Sequence, residues 1–191
     1  MKKAENFLKS GEWRVESEAV TSTSLSTLNT FYEVIILAVT LTIILICSAV
    51  LAGIDQVIKY FILKDIAPAG SVSVINNVFS LVYVENRGIA FGMFQGMFWI
   101  FSIFTLVIIG AFIYMIVKKT FTGKIFYISS ALIIGGGLGN LIDRVFRGFV
   151  VDYLSLSFFP PICNFADYCV TIGAVLLAIS LIAGMKGNQN E

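Results

Sequence analysis

Four long apolar runs constrain this chain more than any other feature. They extend from about Val34 to Ile54, Met97 to Val117, Ile125 to Ile142 and Tyr168 to Met185. Each is close to the roughly 20 residues that a helix needs to cross ~30 Å of hydrocarbon at 1.5 Å per residue. Inside lipid the backbone must satisfy its own hydrogen bonds, so the pattern predicts four transmembrane helices. Composition agrees, with 58% of the 191 residues hydrophobic and 13% charged, against about a quarter charged in soluble domains. The length suits one compact domain. A net charge of +1 gives no footing for a nucleic-acid partner.

Three regions follow: a polar extension over residues 1–33, a membrane domain over 34–186 and a short tail over 187–191. The extension carries mixed charge and a Ser/Thr-rich stretch from Thr21 to Thr30, which reads as a mobile or surface-lying segment. The first apolar run starts too late and is too long for a secretory signal peptide. The third run holds Gly135, Gly136, Gly137 and Gly139, small residues that let helix backbones approach closely in a membrane. Lys118, Lys119 and Lys124 link the second and third runs, and Lys2, Lys3, Lys9, Arg14 and Lys186 flank the termini. With four spans these all fall on one side, which the positive-inside rule makes cytoplasmic. Residues 55–96 and 143–167 then lie outside. After a short helical stretch near Gln56–Leu63, Ser71–Val74 alternates and Phe79–Val84 is rich in β formers. Pro68, Gly70, Asn76 and Asn77 supply turns. The expected fold is a membrane all-α protein with a small β element: a four-transmembrane-helix bundle plus an extracytoplasmic β-sheet over about 55–96.

Ionisable groups at membrane depth are expensive, and here they gather at one boundary. Asp55 and Lys59 end the first run, Asp143 and Arg144 the third, Asp152 follows in a strand-like stretch, and Asp167 opens the fourth. There is no histidine, which removes Ser-His-Asp and Cys-His chemistry and the usual zinc and haem ligands. No spacing suggests a metal site, and no cofactor is expected. Two carboxylates in a partly dry site cannot both ionise easily, so the pair offers an acid and a base together. Asp152 sits among apolar residues, and Asp167 at a helix start that favours its charged form. Asp143, with Arg147 four residues on, suits a structural ion pair, as does Asp55 with Lys59. Asn86, Asn140 and Asn164 fall at the same boundary, where each could bind an extended peptide or cap a turn. Phe98–Phe101 reads as an interfacial aromatic anchor without a chemical role. Cys47 reads as a small hydrophobe. Cys163 and Cys169 are near enough for a disulfide, although unpaired thiols are the preferred reading.

Taken in order, five stretches resemble the bacterial lipoprotein signal peptidases (signal peptidase II). They are Asp55–Lys59, Asn86–Phe91, Gly135–Arg144, Val150–Tyr153 and Asn164–Asp167. The resemblance implies a membrane aspartyl endopeptidase that cuts prolipoprotein signal peptides before a diacylglyceryl-modified cysteine. It implies that Asp152 and Asp167 are the catalytic pair. It implies that Asn86, Asn140, Arg144 and Asn164 line the substrate site or hold it together, and that Asp55, Lys59 and Asp143 support it structurally. It also implies an outer sheet and a mobile loop helix forming a cradle over the substrate. Partners would be lipid-modified prolipoproteins and membrane lipids, with the chain a monomer in the bacterial cytoplasmic membrane, both termini inside and the site at the outer face. The chain departs from the family at Cys163, where Phe is usual, at Tyr168, where a small residue is common, and at Ile89 and Gly137, where Ala is frequent. The extension 1–33 has no matching counterpart.

Two other classes also accommodate one-sided carboxylates. A proton-coupled transporter needs acids threaded to both faces, and the middles of these runs carry none. A non-catalytic membrane chaperone subunit predicts that the aspartates tolerate amide substitution.

Overall fold

The computed structural model describes residues 12–88 and 98–187, with side chains at 24–88 and 99–182. The elements run α1 (Glu12–Phe61), a π-helical turn (Ile62–Ile66), β1 (Ser71–Ile75), β2 (Phe79–Asn86), α2 (Phe98–Val117), α3 (Lys124–Arg147), β3 (Val150–Leu156), β4 (Phe159–Cys163) and α4 (Phe165–Gly187). Among the described residues four helices are long and apolar enough to cross a membrane: Ser24–Ile66, Trp99–Val117, Lys124–Arg147 and Phe165–Ile182. The chain divides into two compact units, Met1–Thr40 and Leu41–Glu191. The described part of the first is helical throughout.

Three of the expected spans match their helices to within a few residues. The first differs, because helix begins at Glu12 instead of near Val34. No Pro or Gly interrupts the chain between Trp13 and Ala52, so nothing local stops a helix there. Of the expected extension, residues 1–11 lie outside the described residues, as do Ile89–Phe91 of the second motif. At its other end the helix does not stop at Asp55–Lys59 but passes them and ends in the π turn, two residues before Pro68.

Within the second unit α3 is the central helix. Its buried face carries Ser129, Ser130, Ile133, Ile134, Gly135, Gly136, Gly139, Asn140 and Asp143. The glycines explain how neighbours come so near. A Cβ on Gly136 would lie 2.4 Å from the Ala166 carbonyl oxygen on α4, and one on Gly135 would lie 2.9 Å from Leu51 Cβ on α1. Ser48 of α1 fills the same seam, donating to the Ala131 carbonyl at 3.1 Å. Lipid supplies no hydrophobic drive between helices, so close packing and such bonds hold the seam.

The sheet is antiparallel with order β1-β2-β3-β4. Its first two strands fall where alternation and turn chemistry predict, with Gly70 at φ 77° and Asn77 at φ 60°. Its other two come from residues 143–167, which the sequence presents as a short link. Pro160 and Pro161 within β4 conceal that strand, and an edge position tolerates them. Ile62, Val151 and Tyr153 form a small core between sheet and π turn.

Candidate functional site

The site is assembled where α3 ends, β3 begins and α4 begins. Gly148 closes α3 in the left-handed conformation at φ 77°, its N–H reaching the Arg144 carbonyl at 3.2 Å. The chain then enters β3 and sets Asp152 among buried Val150, Val151 and Tyr153.

At the start of α4, side chains take the N–H groups that a helix leaves unbonded. Asn164 Oδ1 accepts from Asp167 N at 2.9 Å, and Asp167 Oδ2 accepts from Asn164 N at 3.1 Å. This reciprocal pair is a capping box built from Asn and Asp. Tyr153 Oη accepts from Phe165 N at 3.1 Å, and Asp55 Oδ1 from Ala166 N at 3.2 Å. Burial raises the Tyr153 phenol above its ordinary value, so it stays neutral.

Both aspartates are held by amides. Asp152 accepts from Asn86 Nδ2 at 2.8 Å and from Asn164 Nδ2 at 2.7 Å, one amide on each oxygen. Asp167 Oδ1 accepts from Asn140 Nδ2 at 2.8 Å. Asn140 Oδ1 in turn accepts from Asn164 Nδ2 at 3.1 Å and from Lys59 Nζ at 2.9 Å. An ammonium can only donate, so Lys59 fixes the Asn140 amide with its NH2 toward Asp167. Asn164 therefore touches both carboxylates. Asp152 is 3% exposed, while Asp167 is half-buried. Burial first, and the Asp167 charge second, push the Asp152 carboxyl up to about 6.

Behind the pair lies a buried ionic cluster. Lys59 Nζ is 2.8 Å from Asp55 Oδ2 and 2.8 Å from Asp143 Oδ2, all three side chains being at most 1% exposed. Asp143 also pairs with Arg147 and accepts from Val151 N at 3.0 Å. Gln56 donates to the Gly139 carbonyl and accepts from Arg147 Nη1 at 2.9 Å. Arg144 leaves this cluster. Its guanidinium lies 5.9 Å from the centre of the Phe101 ring and reaches the Asn140 carbonyl at 3.4 Å.

All nine site residues singled out from sequence thus fall in one neighbourhood, and the Asp55–Lys59 and Asp143–Arg147 pairs form as their spacing predicts. Sequence reasoning gives Gln56 and Tyr153 no part in the site, and reads Phe101 only as an interfacial anchor. Alternation along Val151-Asp152-Tyr153 could have placed Tyr153 opposite Asp152. Nothing in the aromatic run distinguishes Phe101 as the ring under Arg144. Cys47, Cys163 and Cys169 are free thiols. Among the described residues no group of three or more His, Cys, Asp or Glu side chains could hold a metal ion.

Fold and site together define a multi-pass membrane protein with a carboxylate-centred polar site at one end of its helical bundle. Comparison with known proteins narrows the class. Residues 46–183 match the family model described as signal peptidase (SPase) II. The lipoprotein signal peptidase of Caldanaerobacter subterraneus subsp. tengcongensis is 40% identical over 138 residues, 72% of this chain and 94% of that protein. That of Halothermothrix orenii is 42% identical over 128 residues, 67% of this chain and 87% of its own. Two solved structures titled as a bacterial membrane enzyme superpose with TM-scores of 0.68 and 0.66 at 31% and 32% identity, covering 76% and 73% of this chain and 91% and 92% of theirs. The chain belongs to the signal peptidase II family and is a membrane protease.

Proposed function

We propose that this protease cleaves the signal peptide of diacylglyceryl-modified prolipoproteins just before the lipidated cysteine, using Asp152 and Asp167 as its reacting carboxylates. The observation that carries this reading is that Asn164 bonds both of them directly, at 2.7 Å and 3.1 Å. Asp152 is pushed upward, to about 6, and serves in this reading as the proton donor. Asp167 takes a proton from water. The hydroxide so generated attacks the scissile carbonyl carbon while Asp152 protonates the carbonyl oxygen. On collapse of the gem-diol, the proton taken from water passes from Asp167 to the leaving nitrogen, one hydroxyl returns its proton to Asp152, and the C–N bond breaks. Positioned acid and base of this kind contribute about 10²–10⁴-fold in rate. In this reading half-buried Arg144 would hold the extended substrate backbone, and Asn86, bonded to Asp152 and Gly88, would border it.

The substrate's signal helix would lie against the bundle with its acyl chains in lipid. The lysines Lys118, Lys119 and Lys124 mark the opposite end of α3, about 30 Å from Asp143 at 1.5 Å per residue. Positive charge there supports cytoplasmic termini and a site at the outer face of a bacterial cytoplasmic membrane.

The test is cleavage of a lipid-modified prolipoprotein by the purified protein. Asp152→Asn and Asp167→Asn should each abolish it while the bundle stays folded. Full turnover by either variant would overturn the assignment.

A further inference from the structure

Tyr83 and Glu85 of β2, with Arg87 just past its end, stand outside the site, and the last two flank its edge residue Asn86. Past the irregularity between Leu81 and Val84, the register pairs Val84 with Asp152, Glu85 with Val151 and Asn86 with Val150. Strand alternation puts Asn86 and Asp152 on one face, and Glu85 and Arg87 on the other with Val151 and Phe149. On that second face the Tyr83 hydroxyl donates to Glu85 Oε1 at 2.9 Å. Arg87 donates to Glu85 Oε2 through Nε at 3.2 Å and Nη2 at 2.6 Å. Its guanidinium lies 5.3 Å from the centre of the Phe149 ring, which one further step of the register sets opposite it. Phe149 packs on the core of Ile62, Val151 and Tyr153. On the first face the Asn86 amide is engaged at both ends. Its Oδ1 accepts from Gly88 N at 3.1 Å, which turns its Nδ2 toward Asp152.

We propose that Tyr83, Glu85, Arg87 and Phe149 form a positioning strap, which pins the end of β2 to the residue before β3 and so holds the Asn86 amide against Asp152. It presupposes that Asp152 is a reacting carboxylate. Arg87, and then Tyr83, hold the Glu85 carboxyl below its ordinary value, so the strap stays charged when Asp152 titrates. Partly exposed ion pairs add little to stability. The strap acts instead through orientation, because two donors and a ring converge on one strand end.

Asn86 stabilises the carboxylate form of Asp152, so a loosened Asn86 raises the proton affinity of Asp152. The other groups acting on Asp152 are Asp167 of α4, Lys59 of α1, Arg144 of α3 and Cys163 of β4, with Asn164 and Tyr153 beside it. Arg147 of α3 acts on Tyr83. All are retained in the variants below.

The experiment is the pH profile of kcat/KM for the full-length protein and its variants on a diacylglyceryl-modified prolipoprotein. Arg87→Ala should lower kcat several-fold and move the alkaline limb upward by about half a pH unit, the scale of one hydrogen bond. Asn86→Ala should move the limb the same way, and the double variant no further. Arg87→Lys, which keeps a cation over Phe149, should restore most of the shift. An unmoved limb in Arg87→Ala, or shifts that add in the double variant, would overturn the strap. Activity retained by Asp152→Asn in the same assay would instead overturn the catalytic assignment, so the two failures are distinguishable.

Discussion

Two clusters of buried polar groups meet at Asn140 and are built on opposite rules. Around Lys59 the buried carboxylates of Asp55 and Asp143 are matched by cations, the fully buried Lys59 and the 28% exposed Arg147. Around Asn164 the bonding partners of Asp152 and Asp167 are amides. A cation beside a buried carboxylate offsets part of the cost of burying its charge and locks the pair in one geometry. An amide orients a carboxylate with a weaker pull, leaving burial and the neighbouring charge to keep a proton in place. The first cluster makes a frame. The second keeps its proton exchangeable, which acid–base chemistry requires.

The contrast can be broken most sharply at the amide-held pair. Asp152→Asn should cost about 10³-fold or more in turnover while lowering the melting temperature by only a few degrees, because the amide fills the same volume and loses one of the two bonds, its single oxygen accepting from either Asn86 or Asn164. A large fall in stability with residual activity would reverse the roles of the two clusters. Lys59→Met should show the opposite pattern. Removing it leaves Asp55 without its cation and Asp143 with Arg147 alone, a loss of about 3–5 kcal/mol, readable as a fall in thermal stability of the purified protein. Gly139→Ala strikes the same frame more gently. Its Cβ would sit 2.6 Å from Asp55 Oδ2, and overpacking of this kind costs about 1–3 kcal/mol. Tolerance without loss of stability would show that Asp55 is free to move. The smallest effect is on the pH profile. With the Asp152 carboxyl held at about 6, the alkaline limb of kcat/KM should fall near that value. The limb of kcat should lie higher, since bound substrate excludes more water. Coincident limbs would mean that the bound state leaves Asp152 as wet as the free one.

Much of this arrangement is legible in the sequence because it rests on short-range rules. Hydrophobic runs of membrane length give the helices, and i,i+4 spacing gives Asp55–Lys59 and Asp143–Arg147. Asp167 is legible as a helix start, although its reciprocal cap with Asn164 is not. What stays hidden depends on long-range register. Residues 150–163 join the sheet because β2 offers an open edge, and Pro160 and Pro161 argue locally against a strand. The direction of the Asn140 amide is fixed by Lys59, 81 positions away. The start of α1 at Glu12 is missed for a different reason: a Ser/Thr-rich stretch is a weak helix former, but nothing in it forbids one.

The four side-chain acceptors at the start of α4 have a further consequence for the life of the molecule. Tyr153, Asp55 and the Asn164–Asp167 pair come from the sheet, the first helix and the last helix, so this end of the last helix has no partial form. During biosynthesis the proposed carboxylate pair comes together only when the final span docks.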